Sequence, residues 1–343
     1  MLVRVTYQFF MFTAIRIGQQ IGEGSFGKVF EALDREGNSL VLKQVESSTS
    51  QCEELAQSEI ECLKALKQVR NVPQYLDSCV LGSQHFILMS RIPGIPLEEF
   101  LLGSNLSIQH RIEVAYYLLY TLAPTLRDTG HVCCHRDVNS RNILIQPDRS
   151  GAGLIDFGLA VEKNAWWQYM WRELPPGGDP RYWPCCAWRM VLNGWRDVSR
   201  TELGEEQYKD KLDLHSFALT LVECIVSGSE DSVHELSPLR KAFSNYMHFA
   251  TQCANIFVTC SRTRGNWDQA KTDLRSIEVL NTTRSNLKRI KYAIKSVRDT
   301  HPIFPIIERM LCVDESTISG SWSYVLSKLS SISTTTSLLR FHY

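Results

Sequence analysis

An aspartate and an asparagine stand five residues apart in His135-Arg136-Asp137-Val138-Asn139-Ser140-Arg141-Asn142, directly ahead of the apolar run Ile143-Leu144-Ile145. A carboxylate can take the proton of a hydroxyl nucleophile, and an amide oxygen can hold a hard metal ion. Together they suit phosphoryl transfer, a reaction that depends on positioning and charge neutralisation more than on covalent chemistry by the protein. Three further stretches supply what that reaction needs. Ile21-Gly22-Glu23-Gly24-Ser25-Phe26-Gly27-Lys28-Val29 is a glycine-rich turn between alternating runs, and glycine lets a backbone approach oxygen atoms that any β-carbon would keep away. Lys43 follows in Leu40-Val41-Leu42-Lys43 as a cation for those oxygens. Asp156-Phe157-Gly158 adds an oxygen ligand which, with Asn142, suits a divalent cation. An acid before glycine is ordinary turn chemistry, and a lone glycine triplet also occurs in dinucleotide sites. Here, however, the glycines run into a second strand, whereas a dinucleotide site needs a helix there.

The elements that must position these residues are legible in outline. Residues 15–45 alternate as strands around the glycine turn. Residues 51–69 place Leu55, Ile60, Leu63 and Leu66 near helical spacing with neither Gly nor Pro, on a helix that also carries Glu53, Glu54, Glu59 and Glu61. Two more strand-like runs, Val72 to Leu81 and His85 to Ser90, lead into Arg91-Ile92-Pro93-Gly94-Ile95-Pro96, which breaks the pattern as a hinge. Ser107 is a cap for a helix to Gly130, kinked at Pro124. Strands over Asn142–Ile145 and Ala152–Ile155 follow, then an irregular, tryptophan-rich segment over 159–184. Tyr208 to Gly228 reads as one apolar helix centred on Leu212–Val226. Helices are expected around 239–258 and 284–298, within a long connection at 229–300 read as an insertion, and at Ile303 to Leu311 and Ser321 to Leu329. The Ser/Thr-dense Ser330 to Ser337 reads as a loose tail.

Composition narrows the setting. Apolar residues make up 44% of the 343 and charged residues 22%, as in ordinary globular proteins. Lys plus Arg equals Asp plus Glu at 37 each, so no global field recruits nucleic acid or an anionic membrane. Eleven cysteines without C-x-x-C spacing point to reduced, buried thiols and a cytoplasmic setting, with the nucleus also open. The apolar start from Val5 to Ile15 has no small-residue cleavage site. No stretch approaches the ~18 apolar residues of a membrane span.

In order and spacing, Gly22, Gly24, Gly27, Lys43, Glu59, Asp137, Asn142, Asp156 and Asp213 resemble the motif set of eukaryotic protein kinases. The resemblance implies an α+β, bilobal fold. A leader (1–14) precedes a small β-rich lobe with one helix (15–91), then come a larger mainly helical lobe (92–331) and a tail (332–343). It implies ATP and Mg2+ as cofactors and a protein hydroxyl as acceptor. Asp137 is then the acceptor-side base. Lys43, held by Glu59, meets the phosphates, Arg141 stands near the transferred group, and Asn142 and Asp156 hold metal. Ile21, Gly22, Gly24, Gly27, Val29, Val41, Lys43, Met89, Ser90, Ile92 and Leu144 surround the nucleotide, with Met89 as gatekeeper. Asp213 braces the loop at His135, and a stack of Leu63, Leu76, His135 and Phe157 links the lobes.

The same comparison exposes departures. Asn139 stands where common Ser/Thr kinases carry Lys, Asp179 where they carry Thr, and Pro184-Cys185-Cys186 replaces Ala-Pro-Glu. Met310 to Thr317 lacks the arginine that normally pairs with that Glu. Between Asp156 and Pro184 there is no Ser or Thr, so Arg136 has no Ser/Thr phosphate to meet, and Glu162 or Glu173 is the expected substitute. A pair between Arg141 and Asp179 is expected to neutralise the extra carboxylate. Asn139-Ser140-Arg141-Asn142 and Gly178-Asp179-Pro180-Arg181-Tyr182 are similar to Ser/Thr kinases of the tyrosine-kinase-like group. Ser/Thr is therefore the expected acceptor, with Tyr and dual specificity open. The alternative is a pseudokinase, an ATP-binding interaction module.

Overall fold

The computed structural model describes residues 15–24, 27–46, 50–227, 236–263, 265–313 and 320–335. The leader 1–14, Ser25 and Phe26, Asp314 to Thr317 and the end of the tail from 336 lie outside the described residues.

The alternating N-terminal runs form five antiparallel strands, β1 (Arg16–Gly24), β2 (Gly27–Leu33), β3 (Ser39–Glu46), β4 (Tyr75–Leu81) and β5 (Gln84–Ser90), in the order β1-β2-β3-β5-β4. Side chains alternate between sheet faces, and the register sets Val41 opposite Met89 and Lys43 opposite Ile87. Those four share the face turned to helix α1 (Ser50–Ala65) and the second lobe, while Ala32, Leu40, Leu42 and Leu88 form a small separate core on the other face. Leu76 belongs to that outer core, which corrects its expected place in the inter-lobe stack. A bulge between Tyr75 and Asp77 shifts the alternation of β4, so Tyr75 is the residue packed on the main core.

The chain then turns through β6 (Ile95–Pro96) and α2 (Leu97–Gly103) into α3 (Ile108–Val132), where Ser107 Oγ accepts from His110 N at 3.3 Å. Short strands β7 (Cys133–Cys134), β8 (Ile143–Ile145), β9 (Ala152–Leu154) and β10 (Val161–Glu162) pair as β6-β8-β9 and β7-β10 and clamp the two ends of the His135–Asn142 loop.

Residues 159–184 are more ordered than their sequence pattern suggests. α4 (Lys163–Ala165), a π-turn (Trp166–Met170) and α5 (Trp171–Glu173) make one short helix with an extra residue inserted. The insertion brings Trp166 and Trp171, five apart, to the same buried side, a spacing that helical periodicity of 3.6 does not flag. Next come a 3-10 turn (Pro180–Tyr182), α6 (Cys185–Asn193), α7 (Trp195–Val198), α8 (Glu202–Asp210) and α9 (Leu212–Val226). The chain breaks at Lys211, so Tyr208 lies on α8 and not at the start of one long helix.

Among the described residues, the supposed insertion holds three helices: α10 (Ser237–Thr263), α11 (Trp267–Ser276), which periodicity does not flag, and α12 (Val279–Ser296). Leu239, Phe243, Leu287 and Ile290 bury into the main core, so this segment is part of the lobe's interior. α13 (Ile303–Met310) and α14 (Trp322–Thr335) close the fold, and α14 takes in Ser330 to Thr335 of the stretch expected to be loose, the rest of which lies outside the described residues.

Candidate active site

Lys43 joins the sheet, the helix and the second lobe. Its Nζ lies 2.7 and 2.8 Å from the two carboxylate oxygens of Glu59 and 2.8 Å from Asp156 Oδ1. Burial by itself would lower the Lys43 pKa, but the two carboxylates outweigh it and hold the ammonium above its ordinary value. Burial lifts Glu59 above the usual carboxylate range against the pull of Lys43. Desolvation would raise Asp156 too, yet Lys43 wins there and leaves it below its ordinary value. Two acids thus share one cation, and Asp156 faces the cleft with 38% of its side chain exposed. Ser58 Oγ donates to the Ala160 carbonyl at 2.9 Å, tying α1 to the segment after Asp156.

Between the lobes lies a cleft of about 440 Å³. All the residues expected around a nucleotide line it: Ile21, Gly22, Gly24, Gly27, Val29, Val41, Lys43, Met89, Ser90, Ile92 and Leu144. Glu59, Arg141, Asn142 and Asp156 are on its wall too. The third glycine has a reason of its own. Gly27 sits at φ +136, and a β-carbon there would fall 1.9 Å from the Gln44 carbonyl oxygen on β3.

Asp137 lies just outside this cleft lining, on a loop fixed from below. Asp213, on the first turn of α9, accepts from the backbone N–H groups of His135 at 2.9 Å and Arg136 at 2.8 Å. The His135 ring stands edge-on to Phe157, centroids 4.7 Å apart, and its Nε2 meets the Ile155 carbonyl at 3.0 Å. Three neutral donors hold the Asp137 carboxylate at 2.8 Å each: Asn139 Nδ2 and the Asp179 N–H on Oδ1, and Asn142 Nδ2 on Oδ2. Desolvation nevertheless dominates and places its pKa above the ordinary value. Asn139 therefore fills with an amide the place a lysine ammonium takes in common Ser/Thr kinases.

The donor set fits a magnesium ion. The Asn142 amide nitrogen is committed to Asp137, which leaves its oxygen for a cation, and among the described residues none donates a hydrogen bond to Asp156 Oδ2. Hard oxygen ligands of this kind, completed by phosphate and water, suit Mg2+.

Arg141 Nη2 lies 2.6 Å from Asp179 Oδ2. Arg181, which sequence reading passed over, reaches the same carboxylate with Nε at 3.0 Å and Nη2 at 2.6 Å. Asp179 also caps the 3-10 turn by accepting from Arg181 N, so turn chemistry was the signal that could have found this pairing. Tyr182 is buried, donates to Glu223 Oε2 at 2.7 Å and touches Ser140 Oγ at 3.3 Å, connecting the loop to α9.

Arg136 does not meet Glu162 or Glu173. Glu162 accepts from the backbone N–H groups of Asn164 and Ala165, and Glu173 is exposed. Instead, Arg136 donates to the carbonyls of Leu159 and Pro175 and lies over the Trp166 ring. In place of the expected carboxylate, carbonyl dipoles, a π-face and the nearby Asp213 and Asp137 supply negative potential, while Arg136 Nε has no hydrogen-bond partner among the described residues.

Residues 15–176 match the family model for the protein kinase domain. A G-type lectin S-receptor-like serine/threonine-protein kinase of Arabidopsis thaliana is 25% identical over 237 residues, 67% of this chain and 27% of the relative. The proline-rich receptor-like protein kinase PERK15 of the same plant is 31% identical over 143 residues, 41% of this chain and 28% of the relative. The serine/threonine-protein kinase pakH of Dictyostelium discoideum is 24% identical over 233 residues, covering 67% of this chain and 40% of its own length. The chain thus spans well under half the length of these relatives. Among the described residues no helix is long and apolar enough to cross a membrane.

Proposed function

Because the chain carries a protein kinase domain, we propose that it transfers the γ-phosphate of ATP, with Mg2+, to a protein hydroxyl, serine or threonine in the first place. The observation that supports this best is the Lys43–Glu59–Asp156 junction, closed at bonding distance across both lobes. A charged lysine beside an ionised aspartate at the mouth of a nucleotide-sized cleft is prepared for charge on a transferred phosphoryl group. Asp137, held by three donors, orients the acceptor hydroxyl and takes its proton. Asn142 and Asp156 would hold the metal, which when bound neutralises phosphate charge. Arg141, at the cleft wall, adds a fixed positive charge on the acceptor side. The relatives named as serine/threonine kinases support that acceptor class, and the buried reduced thiols support a cytoplasmic setting.

The test is transfer of label from γ-labelled ATP, with magnesium, to a mixed protein substrate, followed by phosphoamino-acid analysis. Labelled phosphoserine or phosphothreonine is expected, and Lys43→Met or Asp156→Asn should reduce transfer to background. Near-normal turnover in either variant sinks the site assignment. Nucleotide binding without transfer would put a binding module in the kinase's place.

A further inference from the structure

The 37 acidic and 37 basic residues balance over the chain but not over its surface. Neither α10 nor α12 contains a single aspartate or glutamate. The two helices pack side by side and leave an open groove of about 650 Å³ between them. Its floor carries Ala242 and Ala293, only 8% and 4% exposed. Its rims carry the exposed cations Lys241, Lys288 and Arg289, with Tyr292 standing 77% exposed beside them.

We propose that this groove is a docking site for an acidic peptide segment of a protein substrate, a role that rests on the kinase reading for the word substrate alone. Shape and charge select the occupant. A recessed floor of methyl groups admits a single chain, whereas a bilayer surface cannot enter it. A nucleic acid would present a phosphate for every nucleotide, more charge than three cations in one groove would answer. Carboxylates on the rim and one apolar side chain on the alanine floor match the groove's cations and its methyl groups, and Tyr292 adds an aromatic wall of the kind enriched at recognition surfaces.

The position of α10 gives the site its use. An adjacent side of the same helix carries Tyr246, whose hydroxyl donates to the Arg181 carbonyl at 2.9 Å, two residues from Asp179. A segment held in the groove is thereby tethered through one rigid helix to the loop that faces the acceptor. Tethering raises the local concentration of the acceptor hydroxyl without any new contact at Asp137.

Binding can be read without phosphoryl transfer, so failure of this inference and failure of the kinase reading are separable. The probe is a fluorescein-labelled peptide of about a dozen Asp and Glu residues around one central leucine, followed by anisotropy with the full chain. Binding that weakens with added salt is expected, with the double variant Lys241→Glu/Arg289→Glu losing about tenfold or more in affinity. Lys288→Glu alone should weaken binding in the same direction and gives a second reading should the double variant fold poorly. Lys67→Glu, an equivalent charge reversal on the other lobe, should leave affinity unchanged. Equal loss in Lys67→Glu, no binding of the peptide, or stronger competition by phosphatidylserine vesicles or single-stranded DNA than by unlabelled peptide would overturn it.

Discussion

The Arg136 guanidinium lies over the ring of Trp166, 5.1 Å from its centre, and Trp166 is fully buried with its Nε1 donating to the Lys209 carbonyl at 3.1 Å. An arginine that in many kinases meets a phosphate is here held by an aromatic face and by the carbonyls of Leu159 and Pro175. Trp171 is buried on the same side, and the Lys209 ammonium lies 3.9 Å from the Trp167 ring centre. The segment after Asp156 is therefore held by packing. Treating the purified protein with a Ser/Thr phosphatase should leave its turnover unchanged. Trp166→Ala should lower kcat and destabilise the fold by about 3–5 kcal/mol, as deletion of a large buried aromatic does. Activity that falls with phosphatase treatment, or a Trp166→Ala variant with normal melting and turnover, contradicts the packing account.

The carboxylate of Asp179 binds two guanidiniums, Arg141 at 2.6 Å and Arg181 at 3.0 and 2.6 Å, while its own N–H holds Asp137. Arg141 is 49% exposed, so solvent screens its share of the pairing. A double-mutant cycle with Arg141→Ala and Asp179→Ala on kcat/KM should give a coupling on the order of 1 kcal/mol. The Arg181 and Asp179 cycle should couple more strongly, because Arg181 is less exposed and makes more bonds. Strict additivity in both cycles would mean that the network does not position the acceptor loop.

What the sequence disclosed follows from physics that is local or motif-bound. Glu59 is sixteen residues from Lys43, yet helical periodicity and the resemblance together single it out among four neighbouring glutamates, and the structure places it on Lys43. The stretches that sequence reading missed are set by tertiary competition. Leu76 left the inter-lobe stack because a bulge in β4 reversed its face, and no residue type announces that bulge. Trp166 and Trp171 share a side only because a π-turn inserts one residue between them. For Arg136 charge suggests an acid as partner, whereas a buried guanidinium is also met by carbonyls and a ring.

His215 offers a pH-dependent contribution with a clear sign. It is fully buried on α9, its Nδ1 accepts from Cys312 N at 3.0 Å, and burial lowers its pKa from 6.5 to about 3. The folded protein keeps it neutral, while the unfolded chain takes up a proton below the ordinary value. Its contribution is therefore fully present above 6.5 and is lost as the pH falls toward about 3. One unit below the ordinary value the loss should be about 1.4 kcal/mol. His215→Asn keeps an acceptor near the same place and removes the titration. Urea midpoints at neutral and mildly acidic pH should then show a smaller acid-induced drop in the variant than in the parent, whatever its absolute stability. Equal drops would rule His215 out as a source of acid sensitivity.

Gly178 packs directly against the Asp137 loop. It adopts φ +80, and a β-carbon there would lie 2.3 Å from the Arg136 carbonyl oxygen, 2.6 Å from Asp137 Oδ1 and 2.9 Å from Asp137 Cα. Two penalties coincide in Gly178→Ala. An L-residue at this φ is strained by about 1–3 kcal/mol, and the clash is with backbone and a pinned carboxylate, neither of which can swing aside. The loop must retreat, which takes the Asp179 N–H away from Asp137 and removes one of its three donors. Nucleotide affinity should stay near normal, since Gly178 is not on the wall of the cleft. By contrast kcat/KM for a peptide acceptor should fall by about a hundredfold, the equivalent of one lost charge-assisted bond at the reacting centre. Gly177→Ala is the comparison, because the atoms nearest its β-carbon would be those of the Arg136 guanidinium, at 3.0 Å, and its φ is not in the left-handed region. It should cost less in the same assay. If Gly178→Ala keeps its kcat/KM, or if both variants lose nucleotide binding and turnover together, the loop contact at Asp137 is not what positions the acceptor.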